Sequence, residues 1–120
     1  MSASTVVVVN DHAMAREQLS AALRCEGFTV EAFSSAAHCL GECDFRPVAC
    51  AIVHHDMEDM TGLELAKAFQ VGWLAIPTIL LAHATPADTK ARAEAGIIAV
   101  FGVPPETTQL CDLVRRTVPA

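Results

Sequence analysis

The side chains able to do chemistry gather in short stretches that each follow an apolar run: Asn10-Asp11-His12, His54-His55-Asp56, and His83. Carboxylate oxygens suit a hard cation, and imidazole adds a nitrogen donor that titrates near neutral pH. A further group is His38, Cys39 and Cys43, two thiols four residues apart with an imidazole beside them. That spacing could start a metal site. With no second ligand cluster to complete it, plain helix packing accounts for it better. The five cysteines (Cys25, Cys39, Cys43, Cys50, Cys111) are odd in number and form no CxxC pair. They fit reduced cytosolic thiols rather than a disulfide framework, with Cys50 and Cys111 as core residues.

The elements that must position these groups are legible in the pattern. The 120 residues are 52% apolar, enough for one domain, 1–120, with a single buried core. A formal net charge of -6, from 14 acidic and 8 basic residues, argues against nucleic-acid binding, which needs clustered Lys and Arg. No apolar run approaches the roughly 18 residues of a membrane helix, and no basic segment precedes the first valines, so a cytoplasmic location is expected.

TVVVV (5–9) is apolar throughout, as in a strand covered on both faces. Residues 13–25 carry Met14, Leu19, Ala22 and Leu23 at helical spacing, with Gly27 as the stop. FTVEAF (28–33) and VACAIV (48–53) predict the second and third strands, separated by a helix over 34–43 that opens on capping serines. GLELAKAFQ (62–70) predicts a helix, with Trp73 after it as a surface anchor. IPTILLA (76–82) predicts a fourth strand with Pro77 at its start. TPADTKARAEAG (85–96) combines a Thr cap, Pro at the first position and a terminal Gly. IIAVFGV (97–103) is the fifth strand, and 106–118 a last helix with Leu110, Leu113, Val114 and Val118 inward.

Strands alternating with helices over short connections imply an α/β fold: a doubly wound, five-stranded parallel sheet with helices on both faces. Function in such sheets collects at the carboxyl ends of the strands. That places Asn10 to His12, His54 to Asp56, Ala82 and His83, and Val103 to Pro105 at one rim.

The chain resembles the receiver domain of bacterial two-component response regulators, CheY-like and nearest to the FixJ type. The residues that carry this are VVVVND, LRCEGFTVEAFSSA, DMTGLELA, IPTILLAHAT and EAGIIAVFGVP, in register over nearly the whole length. The resemblance implies the strand order 2-1-3-4-5. It also implies a phosphoaccepting aspartate after the third strand, Mg²⁺ held by that residue and an acidic pair, a hydroxyl, a lysine, and an aromatic switch residue on the fifth strand.

Aligned through DMTG, this sequence departs from the pattern position by position. The phosphoacceptor position carries His54, and the acidic pair reads Asn10 and Asp11. The hydroxyl position is Ala82, the lysine position Val103 and the aromatic position Val100, with Phe101 on the other face of its strand. Glu58 replaces the proline that usually follows the methionine, here Met57. Asp56 remains as a carboxylate, about 6–7 Å further along than His54 and beyond the strand end.

The expectation is an atypical, degenerate receiver that is not an enzyme and acts through protein contacts independent of phosphorylation. Mg²⁺ is expected to bind poorly or not at all. The expected partners are a histidine kinase, an output domain beyond Ala120, or a second copy held through the last two helices and the fifth strand. Lys90, Arg92, Glu94, Asp112, Arg115 and Arg116 would supply ion pairs for such a dimer. His54 is expected to fill the vacated acidic pocket and hydrogen-bond to Asp11. Alternatives are a pH- or redox-sensitive switch whose protonated His54 is favoured by Asp11 and Asp56, a transition-metal site on Asp11, His54 and Asp56, and phosphorylation by a kinase at Asp56.

Overall fold

A computed structural model describes residues 5–72, 75–84 and 89–118. Along these residues strands and helices alternate: β1 (Thr5–Val9), α1 (Ala13–Cys25), β2 (Thr29–Phe33), α2 (Ala36–Glu42), β3 (Val48–His54), α3 (Gly62–Val71), β4 (Thr78–Leu81), α4 (Thr89–Glu94), β5 (Ile97–Phe101) and α5 (Thr107–Thr117). The strands pair in parallel, in the order β2-β1-β3-β4-β5. The doubly wound parallel sheet is what the alternation of elements requires, and its order is the one that the resemblance implies.

Two-residue periodicity divides the core into two layers. Val6, Val8, Cys50, Ile52, Ile79 and Leu81 face Leu19, Leu23, Leu110 and Val114 of α1 and α5. Their neighbours Val7, Val9, Ala51 and Val53 face Cys39, Leu65 and Phe69 of α2 and α3. Covering both faces is what an uninterrupted β-branched run requires, and each such side chain contributes about 1.5–3 kcal/mol on burial.

Local chemistry fixes the joins. Thr61 and Glu64 form a reciprocal capping box at the start of α3. Ser35 caps α2 by accepting from the His38 N–H at 3.0 Å, and Asp59, far away in sequence, accepts from the Ala37 N–H at 2.9 Å. Gly62 lies so close to the sheet that a Cβ there would stand 2.6 Å from Leu80 Cδ1 and 2.9 Å from the His54 carbonyl oxygen.

Several expectations need correction. Met14 is 74% exposed rather than part of the core stripe, because Leu19, Ser20 and Leu23 are the α1 residues turned to the sheet. β5 stops at Phe101, short of Val103, and β4 begins after Pro77, which has no N–H to donate. Leu113 and Val118 are half-buried at the margin of the core. Residues 85–88, with the expected cap of the fourth helix, and Trp73 lie outside the described residues.

Candidate functional site at the carboxyl ends of the strands

The same parity that layers the core builds the site. His54 follows Cys50 and Ile52 and so faces α1 and α5, whereas His55 takes the opposite side. His54 pairs in register with Leu81, and His83 lies two residues beyond that partner. His54 is 2% exposed. Next to it is a cavity of about 140 Å³ whose lining includes Asn10, Leu19, Leu81, Val103 and Pro104. Its walls are largely hydrocarbon.

Three imidazoles meet here. The His12 and His54 rings stand edge to face with centroids 5.6 Å apart, and His54 and His83 do so at 6.2 Å. Ligand atoms of His54, Asp56 and His83 all lie within 4.8 Å of one another. Asp11 is not in this set, so the expected trio exchanges Asp11 for His83.

The expected His54–Asp11 hydrogen bond is absent. Among the described residues, His54 Nδ1 and Asp11 Oδ1 are both buried without a hydrogen-bond partner, and Asp11 Oδ1 lies 3.9 Å from His12 Nε2. Asn10 does not compensate, since its Oδ1 accepts from the His12 N–H at 2.9 Å and its carbonyl oxygen accepts from Arg16 at 2.8 Å. The alternative in which nearby carboxylates favour a protonated His54 runs against its surroundings. Burial pushes its pKa below the ordinary value, reinforced by His12 and His83, and outweighs the opposing pull of Asp56 and Asp11. Burial thus favours the neutral form of the ring, in which one nitrogen keeps its lone pair.

Ala82 and Val103 bring no hydroxyl and no ammonium group to the rim, and Val103 packs against the α1/α5 core together with Phe101. Val100 lines a groove between β5 and α5 with Phe101, Gln109, Leu113 and Arg116. Elsewhere, the thiols of α2 behave as packing: Cys39 is buried, Cys43 Sγ donates to Glu31 at 3.4 Å, and His38 lies edge-on to Phe33. Burial raises the Cys39 pKa to about 12. Sequence reasoning placed His83 at the rim without joining it to Asp56 and His54. The signal available was the shared parity of residues 52 and 54 with 79, 81 and 83.

The chain matches a known family. The response regulator receiver domain model matches residues 6–115, and the chain belongs to that family. It is a receiver domain of the two-component type. Among curated proteins, the response regulator protein TodT of Pseudomonas putida is 27% identical over 117 residues, 97% of this chain and 52% of TodT. The chain thus spans about half the length of the curated relatives it matches. Among solved structures, the response regulator StyR aligns with a TM-score of 0.87 and 29% identity, over 95% of this chain and 58% of StyR. FixJ-N aligns at a TM-score of 0.79 and 25% identity, over 98% of this chain and 94% of that one. A CheY-like receiver from Methanospirillum hungatei shares the fold at a TM-score of 0.85, with 19% identity over 96% and 93% of the two chains.

No helix of the described residues is long and apolar enough to cross a membrane.

Proposed function

We propose that this receiver regulates by protein contact without passing through an aspartyl phosphate. The observation that carries the reading is His54, a buried imidazole at the position where the family resemblance expects the phosphoacceptor, with burial holding its pKa below the ordinary value. A neutral imidazole there supplies no carboxylate oxygen for acyl-phosphate formation. Asn10, Asp11 and His54 do not fit Mg²⁺, which demands oxygen ligands in near-octahedral array, and Asn10 has already spent its side-chain oxygen on its own loop. Ala82 and Val103 at the remaining positions offer neither a hydroxyl nor an ammonium group to the oxygens of a transferring phosphoryl group.

The groove between β5 and α5, with Ile98 46% exposed on the same strand, supports the α4–β5–α5 face as the contact surface. The charges expected to join two copies are already engaged within the chain. Lys90 lies 3.9 Å from Glu94, Arg92 donates to Thr89 at 3.3 Å, and Arg116 donates to the Asp112 carbonyl oxygen at 3.4 Å. Arg115 bridges Asp112 and Glu26. That favours a heterologous partner, a kinase or an output domain, over an ion-paired homodimer.

Incubation with Mg²⁺ and acetyl phosphate, followed by intact mass measurement, tests the reading. The mass is expected to stay unchanged. Gain of one phosphoryl group would overturn it.

A further inference from the structure

We infer that His54, Asp56 and His83 form a binding site for a borderline divalent transition metal of the Zn²⁺ class, which makes the former phosphoacceptor pocket a metal-responsive one. The inference rests on the reading of His54 given above, because the same space cannot also hold Mg²⁺ and a phosphoryl group.

Two imidazole nitrogens and one carboxylate oxygen are the donors that Zn²⁺, Co²⁺ or Ni²⁺ accept, and they disfavour Mg²⁺ and Ca²⁺. The three ligand atoms already lie within 4.8 Å of one another. Around a tetrahedral Zn²⁺ with bonds of about 2.0–2.2 Å, ligand atoms stand about 3.3–3.5 Å apart, so a contraction of about 1.5 Å at most completes the site. Asp56 and His83 are exposed and lie beyond the strand ends, and they can make that movement by side-chain rotation. His54 is fixed by β3 and supplies the rigid ligand.

An independent observation points the same way. The buried His54 ring has a nitrogen, Nδ1, with no hydrogen-bond partner, and an orphaned buried polar atom is uncommon enough to need an occupant. Three protein ligands leave a fourth position open, and His12, in ring contact with His54, is a further imidazole beside it.

The test uses the full chain, stripped with EDTA and titrated with ZnCl₂ by calorimetry, alongside His83→Ala, Asp56→Asn and, as a control, His38→Ala. One equivalent is expected, weakened at least tenfold by His83→Ala and by Asp56→Asn, and unaffected by His38→Ala or by millimolar Mg²⁺. Co²⁺ should give visible d–d bands without a thiolate charge-transfer band. Stoichiometric binding that survives both site variants, a thiolate band, or no binding at all would overturn the inference. In a parallel arm, acetyl phosphate and Mg²⁺ separate the two failures. No zinc and no phosphoryl group removes the metal site alone, whereas a phosphorylated chain removes the reading beneath it.

Discussion

His54 of β3 is the register partner of Leu81 in β4. That pairing decides what shares its pocket, because parity then places His83 on the same side and His55 on the other. The rings of His12, His54 and His83 cluster at the rim of a receiver sheet.

If the pocket lacks several groups at once, restoring one should restore nothing. His54→Asp alone is expected to leave the mass unchanged after acetyl phosphate treatment. The combination of Asn10→Asp, His54→Asp, Ala82→Thr and Val103→Lys is expected to acquire a Mg²⁺-dependent phosphoryl group. Mg²⁺ affinity should rise about tenfold or more, about 1.4 kcal/mol, once both aspartates are present. Retention of a phosphoryl group by the single variant would refute this account.

Gly62 seats the first turn of α3 against the end of β3. A methyl group there meets the His54 carbonyl oxygen at 2.9 Å and the His55 Cα at 3.0 Å, both backbone atoms that cannot swing away. Gly62→Ala should destabilise the domain by about 1–3 kcal/mol, lowering Tm by about 4 °C per kcal/mol. Gly41→Ala, where a Cβ meets nothing within 4 Å, serves as the control in the same thermal melt.

Asp59 ties the loop after β3 to the amino end of α2. Its hydrogen bond from the Ala37 N–H holds the carboxyl below the ordinary carboxylate pKa. A depressed folded value means that the unfolded chain binds more protons in this range. The stabilisation is therefore present above about pH 4, the unfolded value, and fades as pH falls through the folded one. Asp59→Asn should cost about 0.5–1 kcal/mol at pH 7, judged by urea denaturation, and the gap to the parent should close in acid. A gap that stays constant down to pH 2 would contradict it.

Thiol reactivity should be strongly graded. Burial lifts Cys39, Cys43 and Cys50 to about 12, leaving about one thiolate in ten thousand at pH 8, while Cys25 is exposed. Ellman's reagent should modify Cys25 first and the buried thiols at least a hundredfold more slowly, with all 5 titrating in denaturant. Rapid loss of several thiols in the folded state would refute the packing assigned to α2 and β3.

The order and type of the elements were legible because β-branched runs, capping residues and glycines act locally. VVVV and VACAIV declare a covered sheet, and T-G-L-E declares the start of α3. Met14 misled, because it stands five residues before Leu19 and nine before Leu23, off the helix face that Leu19, Ser20 and Leu23 bury. At the site, it was the resemblance, aligned through DMTG, that singled out His54 and Ala82. The absent His54–Asp11 bond was not legible, since it depends on how Asn10 and Arg16 draw the first loop together. Nor was the capping role of Asp59, which spans 22 residues. Whether desolvation or nearby carboxylates dominate at His54 is likewise a matter of three-dimensional distance, which sequence does not record.

Asn10 both receives the His12 amide on its side chain and offers its carbonyl oxygen to Arg16. The segment leading out of β1 is therefore latched by its own neighbours before any visitor arrives. Its backbone freedom is surrendered during folding, and a guest settling over His54 needs to still only the two outer arms, Asp56 and His83. On this side the doorway is already framed, and only its far post has still to swing.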